Sequence, residues 1–304
     1  MKTQLGLGLL HAALFTMLSC SAGQSDPGSR VGGTGSPGGT PGGAAGSTSG
    51  ATSGTINTSS GEMNDAGIDD CGNALDVTYR DFSEAHPDFE MAFSGDVVRR
   101  GLVASLLGPD QKPVFADRVG HPALDGDPLA INTDWNPTEP VIQSADSFKQ
   151  WYNTTAGVNI EFHKQLFLTE SAAGAGIFGY DSSAFFPLAP TEGFGITPKG
   201  NDQGMNFLFT TEIHVTFTYR PLQKFTFRGD DDLWIFINGK LALDLGSMHN
   251  AAEGTIDFDA QAAALGISPG TSYAMDVFHA ERHTRASNFK ITTNISCFIP
   301  SVVK

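Results

Sequence analysis

The sequence is short of positive charge. Lysine and arginine together number 18, against 33 aspartates and glutamates, so the formal net charge at pH 7 is −15. Nucleic-acid binding needs a basic face for the phosphates, and a deficit of this size argues against one. We therefore predict no nucleic-acid partner. A surplus of carboxylates keeps a protein soluble and suits hard cations such as Ca²⁺.

Cysteine is also scarce, with three residues in 304. Cys20 ends the N-terminal apolar segment, which leaves Cys71 and Cys297 near the two ends of the remaining chain. In an oxidising compartment a disulfide between these two is the expected state. Two free buried thiols are the alternative.

No apolar run is long enough for a comfortable transmembrane helix. Residues 1–20 have a lysine near the start, an interrupted apolar stretch, and small residues toward the end, a pattern typical of an export signal. The ending Met17-Leu18-Ser19-Cys20 resembles the lipobox of bacterial lipoproteins, in which the cysteine is lipidated. We predict a signal peptide over 1–20, lipidation at Cys20, and an exported bacterial outer-membrane or cell-surface lipoprotein attached to the membrane only by its lipid. Plain secretion is the alternative.

Residues 21–70 contain no aromatic side chain and are rich in glycine, serine and threonine. Such a composition cannot bury enough apolar surface to fold, so it predicts a disordered tether. We expect a folded domain over 71–299 and a short C-terminal tail over 300–304.

Helical periodicity is sparse in the folded part, and alternation with period two is common. Within 206–219, Ile213 and Val215 alternate with polar residues, as a half-buried strand requires. The runs LWIFI and LALDL flank Asn238-Gly239, a dipeptide typical of a tight hairpin turn. Further strands are predicted over 273–279 and 288–298, and short helices over 147–152 and 259–265. The pattern predicts a single all-β antiparallel sandwich or barrel with a loop-rich N-terminal half.

Three consecutive aspartates, Asp230 to Asp232, stand directly before the LWIFI strand. Burying an ionised carboxylate costs several kcal/mol unless another group compensates it. A bound cation would compensate the charge, and capping of strand and turn backbone is the alternative use of these side chains.

Three stretches resemble the fibro-slime family of secreted or surface proteins: VTYRDFSEAHPDFE (77–90), GDDDLWIFINGKLALDLG (229–246) and FHAERHTRASNFKI (278–291). That family is similar to the β-sandwich domain named after anthrax protective antigen. In the sugar-binding members of that domain, an Asp-Asp pair joined by a cis peptide bond holds a Ca²⁺ that also takes two sugar hydroxyls. The resemblance implies that Asp230 and Asp231 hold Ca²⁺ here.

The same resemblance implies where the other ligands come from. Ca²⁺ takes about six to eight oxygens, more than two carboxylates supply. In the related lectin-like domains the loop before the last strand supplies others, here 281–288, and Asn288 is the expected side-chain ligand. The expected ligand-binding side chains are those of His283, Arg285, Ser287 and Asp232. Whether Asp232 touches the metal is left open, because it stands where the related pattern has glycine.

Two motifs that resemble enzyme signatures fail on chemistry. The G-x-S-x-G match at 266–270 has proline after the serine, and proline has no N–H to donate to an oxyanion. His279, Glu281 and His283 are spaced two residues apart where a predicted strand runs into a loop, whereas zinc hydrolases use H-E-x-x-H on a helix. We predict no catalytic activity.

The function predicted from these features is a surface-tethered, Ca²⁺-dependent carbohydrate-binding or adhesion module, with a polysaccharide or glycan as its partner. The alternative is a structural protein of extracellular matrix or slime, in which calcium stabilises the fold and the partner is a protein.

Overall fold

The computed structural model of the chain describes residues 71–92, 97–122, 136–200 and 203–301. The predicted signal peptide, Cys20 and the tether lie outside these residues. Two helices are described, α1 (Ala145–Lys149) and α2 (Phe258–Leu265). Neither has the length and apolar character that crossing a membrane requires. The strands are β1 (Ala74–Phe82), β2 (Arg99–Arg100), β3 (His121–Pro122), β4 (Asn159–Phe167), β5 (Thr169–Glu170), β6 (Phe178–Ser182), β7 (Phe209–Thr218), β8 (Lys224–Gly229), β9 (Asp232–Ile237), β10 (Lys240–Leu245), β11 (Ala252–Asp257), β12 (Ser272–Glu281), β13 (Phe289–Thr293) and β14 (Ile299–Pro300).

These strands form antiparallel sheets. The larger sheet has the order β10-β9-β12-β7-β1-β4, with β14 paired to β7, and the smaller has the order β11-β8-β13-β6-β5. The short strands β2 and β3 pair with each other. The predicted all-β antiparallel fold is confirmed, and both predicted helices form, with bounds shifted by a few residues.

The two main sheets pack face to face around one buried core. Val77, Ile213 and Val277 of the larger sheet belong to the same buried cluster as Phe227 and Ile291 of the smaller sheet. Alternate residues of β1, β7, β8, β12 and β13 point into this cluster, as the period-two pattern predicts. The fold is therefore a β-sandwich.

The loop-rich N-terminal half covers the outer face of the larger sheet. Leu233 and Ile235 of β9 point into the core between the sheets. Trp234 and Phe236 point the other way, into a second buried cluster that includes Trp151 from the segment after α1. Because both faces of β9 are buried, the strand is apolar at every position after Asp232 and does not alternate.

The hairpin between β9 and β10 turns at the predicted dipeptide. Asn238 has φ 53° and Gly239 has φ 72°, so both central residues take the left-handed conformation that a type I′ turn needs. Asparagine and glycine tolerate that conformation better than other residues.

A disulfide joins Cys71 to Cys297, whose Cα atoms are 5.2 Å apart although 226 positions separate them in sequence. Beside it, Gly72 donates to the Phe298 carbonyl at 3.2 Å and Phe298 donates to the Gly72 carbonyl at 3.4 Å. The two ends of the folded region therefore meet at one place.

Reduction of this disulfide should destabilise the folded chain. In the chain-entropy model, opening a loop of this length costs about 5 kcal/mol of unfolding free energy. We expect dithiothreitol to lower the Tm of the full chain. A double variant, Cys71→Ser with Cys297→Ser, should have the lower Tm without reductant and should not respond to it. A wild-type Tm that reductant leaves unchanged would contradict this role.

An ionic cluster lies on the outer face of the larger sheet. The His214 ring has Nδ1 2.7 Å from Asp276 Oδ1 and Nε2 2.6 Å from Glu212 Oε1. Glu212 also accepts from Arg80 at 2.5 Å and pairs with Lys112. Burial alone would lower the pKa of His214, but its hydrogen bonds with Asp276 and Glu212 outweigh burial and raise the pKa above its usual value.

This cluster predicts a pH dependence of stability. Since the pKa of His214 is raised by folding, its contribution is fully present below the unfolded pKa of about 6.5 and is lost as pH rises through the folded pKa. We expect the free energy of unfolding, measured with urea, to fall from about pH 6 to about pH 9 more steeply in the wild type than in His214→Gln. The control is His163→Gln, whose side chain is 73% exposed on β4, two strands away in the same sheet. Equal slopes for all three proteins would show that His214 is not responsible.

Candidate functional site

The three aspartates lie where the chain passes from one sheet to the other. Strand β8 of the smaller sheet ends at Gly229, and β9 of the larger sheet begins at Asp232. Asp230 and Asp231 form the connection, and the peptide bond between them is cis. The exposed fractions of Asp230, Asp231 and Asp232 are 4%, 7% and 0%, so each buried carboxylate needs its own partners.

Asp230 is held by the segment that leads into β13. Its carboxylate accepts from the backbone N–H of Asn288 and, at 2.8 Å, from the Asn288 side-chain amide. Its backbone carbonyl accepts from His279 Nε2 at 2.9 Å. Burial lowers the pKa of His279 to about 4, so this ring is neutral at pH 7 and acts as a donor through Nε2.

Asp231 is held by two backbone N–H groups. His249 donates to Oδ1 at 3.2 Å, and Arg282 donates to Oδ2 at 3.1 Å. Burial raises the pKa of the Asp231 carboxyl well above its usual range. The Arg282 charge opposes that rise, while the charges of Asp232 and Asp230 add to it. A cation beside this carboxylate would offset these costs.

Asp232 is neutralised by an arginine. Its Oδ2 accepts from Arg282 Nε at 2.7 Å and lies 2.7 Å from Arg282 Nη2, and its Oδ1 accepts from the Ser247 N–H at 2.6 Å. Both side chains of the ion pair are fully buried. This corrects the assignment of Asp232 to the ligand, because its oxygens already have partners and none of its surface is open to a ligand.

Arg282 also reaches the loop-rich half of the chain. Its Nη1 donates to the carbonyls of Asp88 at 3.0 Å and Val141 at 2.8 Å. Its guanidinium lies over the Trp151 ring, 4.6 Å from the ring centroid, and Trp151 Nε1 donates to the Asp88 carboxylate at 2.9 Å. The loop that begins at Arg282 is therefore fixed by contacts from distant parts of the sequence.

A cleft of about 300 Å³ opens above Asp230 and Asp231. His249 and Asn250 line one side, and residues 283–286 line the other. The predicted ligand residues His283 and Arg285 both border this cleft, His283 half-buried and Arg285 exposed. Arg285 has φ 143°, a sparsely populated value for a residue with a side chain.

Ser287 and Asn288, also predicted as site residues, lie in the segment that leads into β13. The Ser287 side chain is buried and its hydroxyl donates to the Phe185 carbonyl at 2.8 Å. This corrects the assignment of Ser287 to the ligand, because the hydroxyl faces the core. Asn288 is beside Asp230, as predicted, but its amide N–H₂ group donates to that carboxylate, so a contact with a metal would use the side-chain oxygen.

Glu281, the last residue of β12, is fully buried. Neither of its carboxylate oxygens has a partner within hydrogen-bonding geometry. Burial raises the pKa of Glu281 well above its usual range, and the charges of Asp231 and Asp230 raise it further. The nearby Ser287 side chain and His283 backbone oppose the rise, although neither meets hydrogen-bonding geometry with the carboxylate.

Among the residues that the structure describes, no three His, Cys, Asp or Glu side chains converge as ligands of a metal would. The Asp230 carboxylate is turned toward Asn288, and this is one reason why the acidic side chains do not converge on one point. Binding of a cation between the aspartates would require side-chain rotation.

Sequence reasoning missed three residues of the site: Arg282, His249 and Asn250. Arg282 was inside one of the stretches that carry the family resemblance, and the unbalanced charge of the aspartate run was a signal that a buried cation was needed. No motif in the sequence marks His249 and Asn250 as site residues, because their position beside Asp231 depends on the path that the chain takes after β10.

The chain is similar to psi proteins of Dictyostelium discoideum. It is 34% identical to psiC over 228 residues, which are 73% of this chain and 41% of that protein. It is 34% identical to psiQ over 225 residues, which are 70% of this chain and 20% of that protein. The chain thus spans less than half the length of these relatives. No family model matches it.

Among solved structures, a PA14 sugar-binding domain from an RTX adhesin is similar at 13% identity and a TM-score of 0.21, over 30% of this chain and 49% of that one. With so little of either chain superimposed, the ligand of that protein carries no weight for this one.

The relatives correct one prediction. They are proteins of a eukaryote, so the prediction of a bacterial outer-membrane or cell-surface lipoprotein is wrong. Its proposed lipidation residue, Cys20, lies outside the described residues.

Removal of the Asp232 charge should destabilise the fold strongly. Asp232→Asn leaves the Arg282 guanidinium buried without its counter-ion, which costs about 3 to 5 kcal/mol. We expect a loss of this size in urea unfolding. Asp181→Asn is the control, since the Asp181 side chain is 65% exposed and its ion pair with Lys290 is worth about 1 kcal/mol at most.

A double variant, Asp232→Asn with Arg282→Met, should recover part of the loss, because it removes both charges. If Asp232→Asn is no less stable than Asp181→Asn, the buried pair does not hold the site.

Proposed function

We propose that the chain is a Ca²⁺-dependent carbohydrate-binding module of a secreted or cell-surface protein, without catalytic activity. The observation that carries this proposal is the pair of buried carboxylates, Asp230 and Asp231, at the floor of a cleft with a polar rim. The resemblance of 229–246 to the fibro-slime pattern implies the same use of the pair.

The donor set fits Ca²⁺. Asp230 and Asp231 supply carboxylate oxygens, and the Asn288 side chain and the carbonyls of the 282–288 loop supply neutral ones. Ca²⁺ is a hard cation that takes oxygen ligands in number and tolerates irregular geometry. Bound here, it would supply a Lewis-acidic centre to which sugar hydroxyls can coordinate directly.

The rim suits a neutral, hydroxyl-rich ligand. His283, Thr284, Arg285 and Asn250 line the cleft, and they bring both hydrogen-bond donors and acceptors to it. The net charge of −15 repels polyanions at long range. We therefore propose neutral polysaccharides or glycans as the ligands rather than sulfated or uronic-acid polymers.

Calcium binding tests the metal part of this proposal. In calorimetric titration of the full chain we expect a Kd on the order of 10⁻⁴ M, in the range of extracellular calcium modules. Asp231→Asn should weaken binding at least tenfold, since it removes a charged oxygen donor. Asp181→Asn, which removes an exposed carboxylate of the smaller sheet, should bind as the wild type does. No calcium binding by the wild type would refute the proposal.

A glycan array probed with the full chain, with and without EDTA, tests the ligand. We expect binding to neutral glycans that EDTA abolishes, and weaker binding by Arg285→Ala, which removes a rim donor without touching Asp230 or Asp231. Calcium that raises the Tm while the array stays blank would instead favour a structural matrix protein with a protein partner.

A further inference from the structure

Glu281 is a buried carboxylate that the proposed site has not yet used. Its exposed fraction is 0%, and neither carboxylate oxygen has a hydrogen-bond partner. Buried polar groups are nearly always paired, and each unpaired one needs a physical explanation, such as local strain, a functional role, a bound water or a bound ion. Leaving such a group unpaired costs free energy, and the cost is larger when the group is charged.

The position of Glu281 places it beside the aspartate pair. Ala280 is opposite Asp232 in the antiparallel pairing of β12 with β9, so the next position of that register sets Glu281 opposite Asp231. The N–H of the following residue, Arg282, donates to the Asp231 carboxylate at 3.1 Å. On the same face of β12 as Glu281, the His279 ring donates to the Asp230 carbonyl.

The charges near this point do not balance. Asp230, Asp231, Asp232 and Glu281 bring four acidic groups together, and the guanidinium of Arg282 is already paired with Asp232. A neutral Glu281 would be a hydrogen-bond donor, and no acceptor lies within hydrogen-bonding geometry of its oxygens. A cation supplies what the unpartnered oxygens and the surplus of negative charge both require.

We propose that Glu281 is the third carboxylate of the cation site, and that its side chain turns toward an ion bound by Asp230 and Asp231. This inference rests on the proposed function, since it names a further ligand of the same metal. It extends the site from the connection between β8 and β9 to the end of β12. Ca²⁺ affinity rises with the number of charged ligands, so a third carboxylate has a measurable effect.

Calorimetric titration of CaCl₂ into the full chain tests the inference with matched variants. Glu281→Gln keeps the shape of the side chain and removes its charge, and we expect its Ca²⁺ Kd to rise roughly 10- to 100-fold. Glu281→Asp keeps the charge on a shorter side chain and should give an intermediate Kd. Glu253→Gln removes an exposed glutamate of β11 and should leave the Kd unchanged.

Thermal unfolding without calcium separates metal binding from folding. Because Glu281→Gln keeps the shape of the side chain and removes a buried acid that has no hydrogen-bond partner, we expect its Tm in EDTA to equal or exceed that of the wild type. Calcium should then raise the Tm of the wild type more than that of the variant.

The outcomes distinguish this inference from the proposed function. Wild-type binding with weaker binding by Glu281→Gln supports both. Equal binding by wild type and Glu281→Gln overturns the role of Glu281 and leaves the Asp230 and Asp231 site intact. A wild type that binds no calcium overturns both. If Glu281→Gln unfolds in EDTA, Glu281 is a structural residue and the inference fails, whatever Glu281→Asp shows.

Discussion

The buried ion pair between Arg282 and Asp232 is the interaction on which the rest of the site depends. Both side chains are fully buried, so neither charge could stay there without the other. Arg282 meets the cost of its burial through its ion pair with Asp232 and by donating from Nε to Asp232 and from Nη1 to the carbonyls of Asp88 and Val141. The pair thereby fixes the start of β9, the end of β12 and the loop that forms one side of the cleft.

The same residue explains why the loop-rich half of the chain belongs to the fold. The segments around Asp88, Val141 and Trp151 do not extend the two main sheets, yet they bury the outer face of β9 and surround Arg282. Glu90 also holds the loop that begins at Arg282, because its N–H donates to the Arg282 carbonyl and its carboxylate accepts from the Thr284 N–H. The cleft is thus formed by loops whose positions are set by packing on a rigid sheet.

Local pattern was enough to predict β7, β9, β10, β12, β13 and the hairpin between β9 and β10, since alternation and the Asn238-Gly239 turn depend on neighbours in sequence. The aspartate pair came from a family resemblance and could not be derived from spacing. The predicted ligand-binding roles of Asp232 and Ser287 were wrong, because the position of each side chain is set by a partner that is distant in sequence. Arg282 and Asp88 are 194 positions apart, and no pattern in either segment predicts the hydrogen bond between them.

The meeting of Gly72 with Phe298, beside the disulfide of Cys71 and Cys297, has a consequence for how such a domain combines with others. A fold whose first and last residues leave from one point can be inserted into a loop of another protein, or threaded between two modules, without disturbing the host on either side. The chain matches only a part of psiC and a smaller part of psiQ. A closed, self-contained unit of this kind is suited to being carried in proteins of very different length.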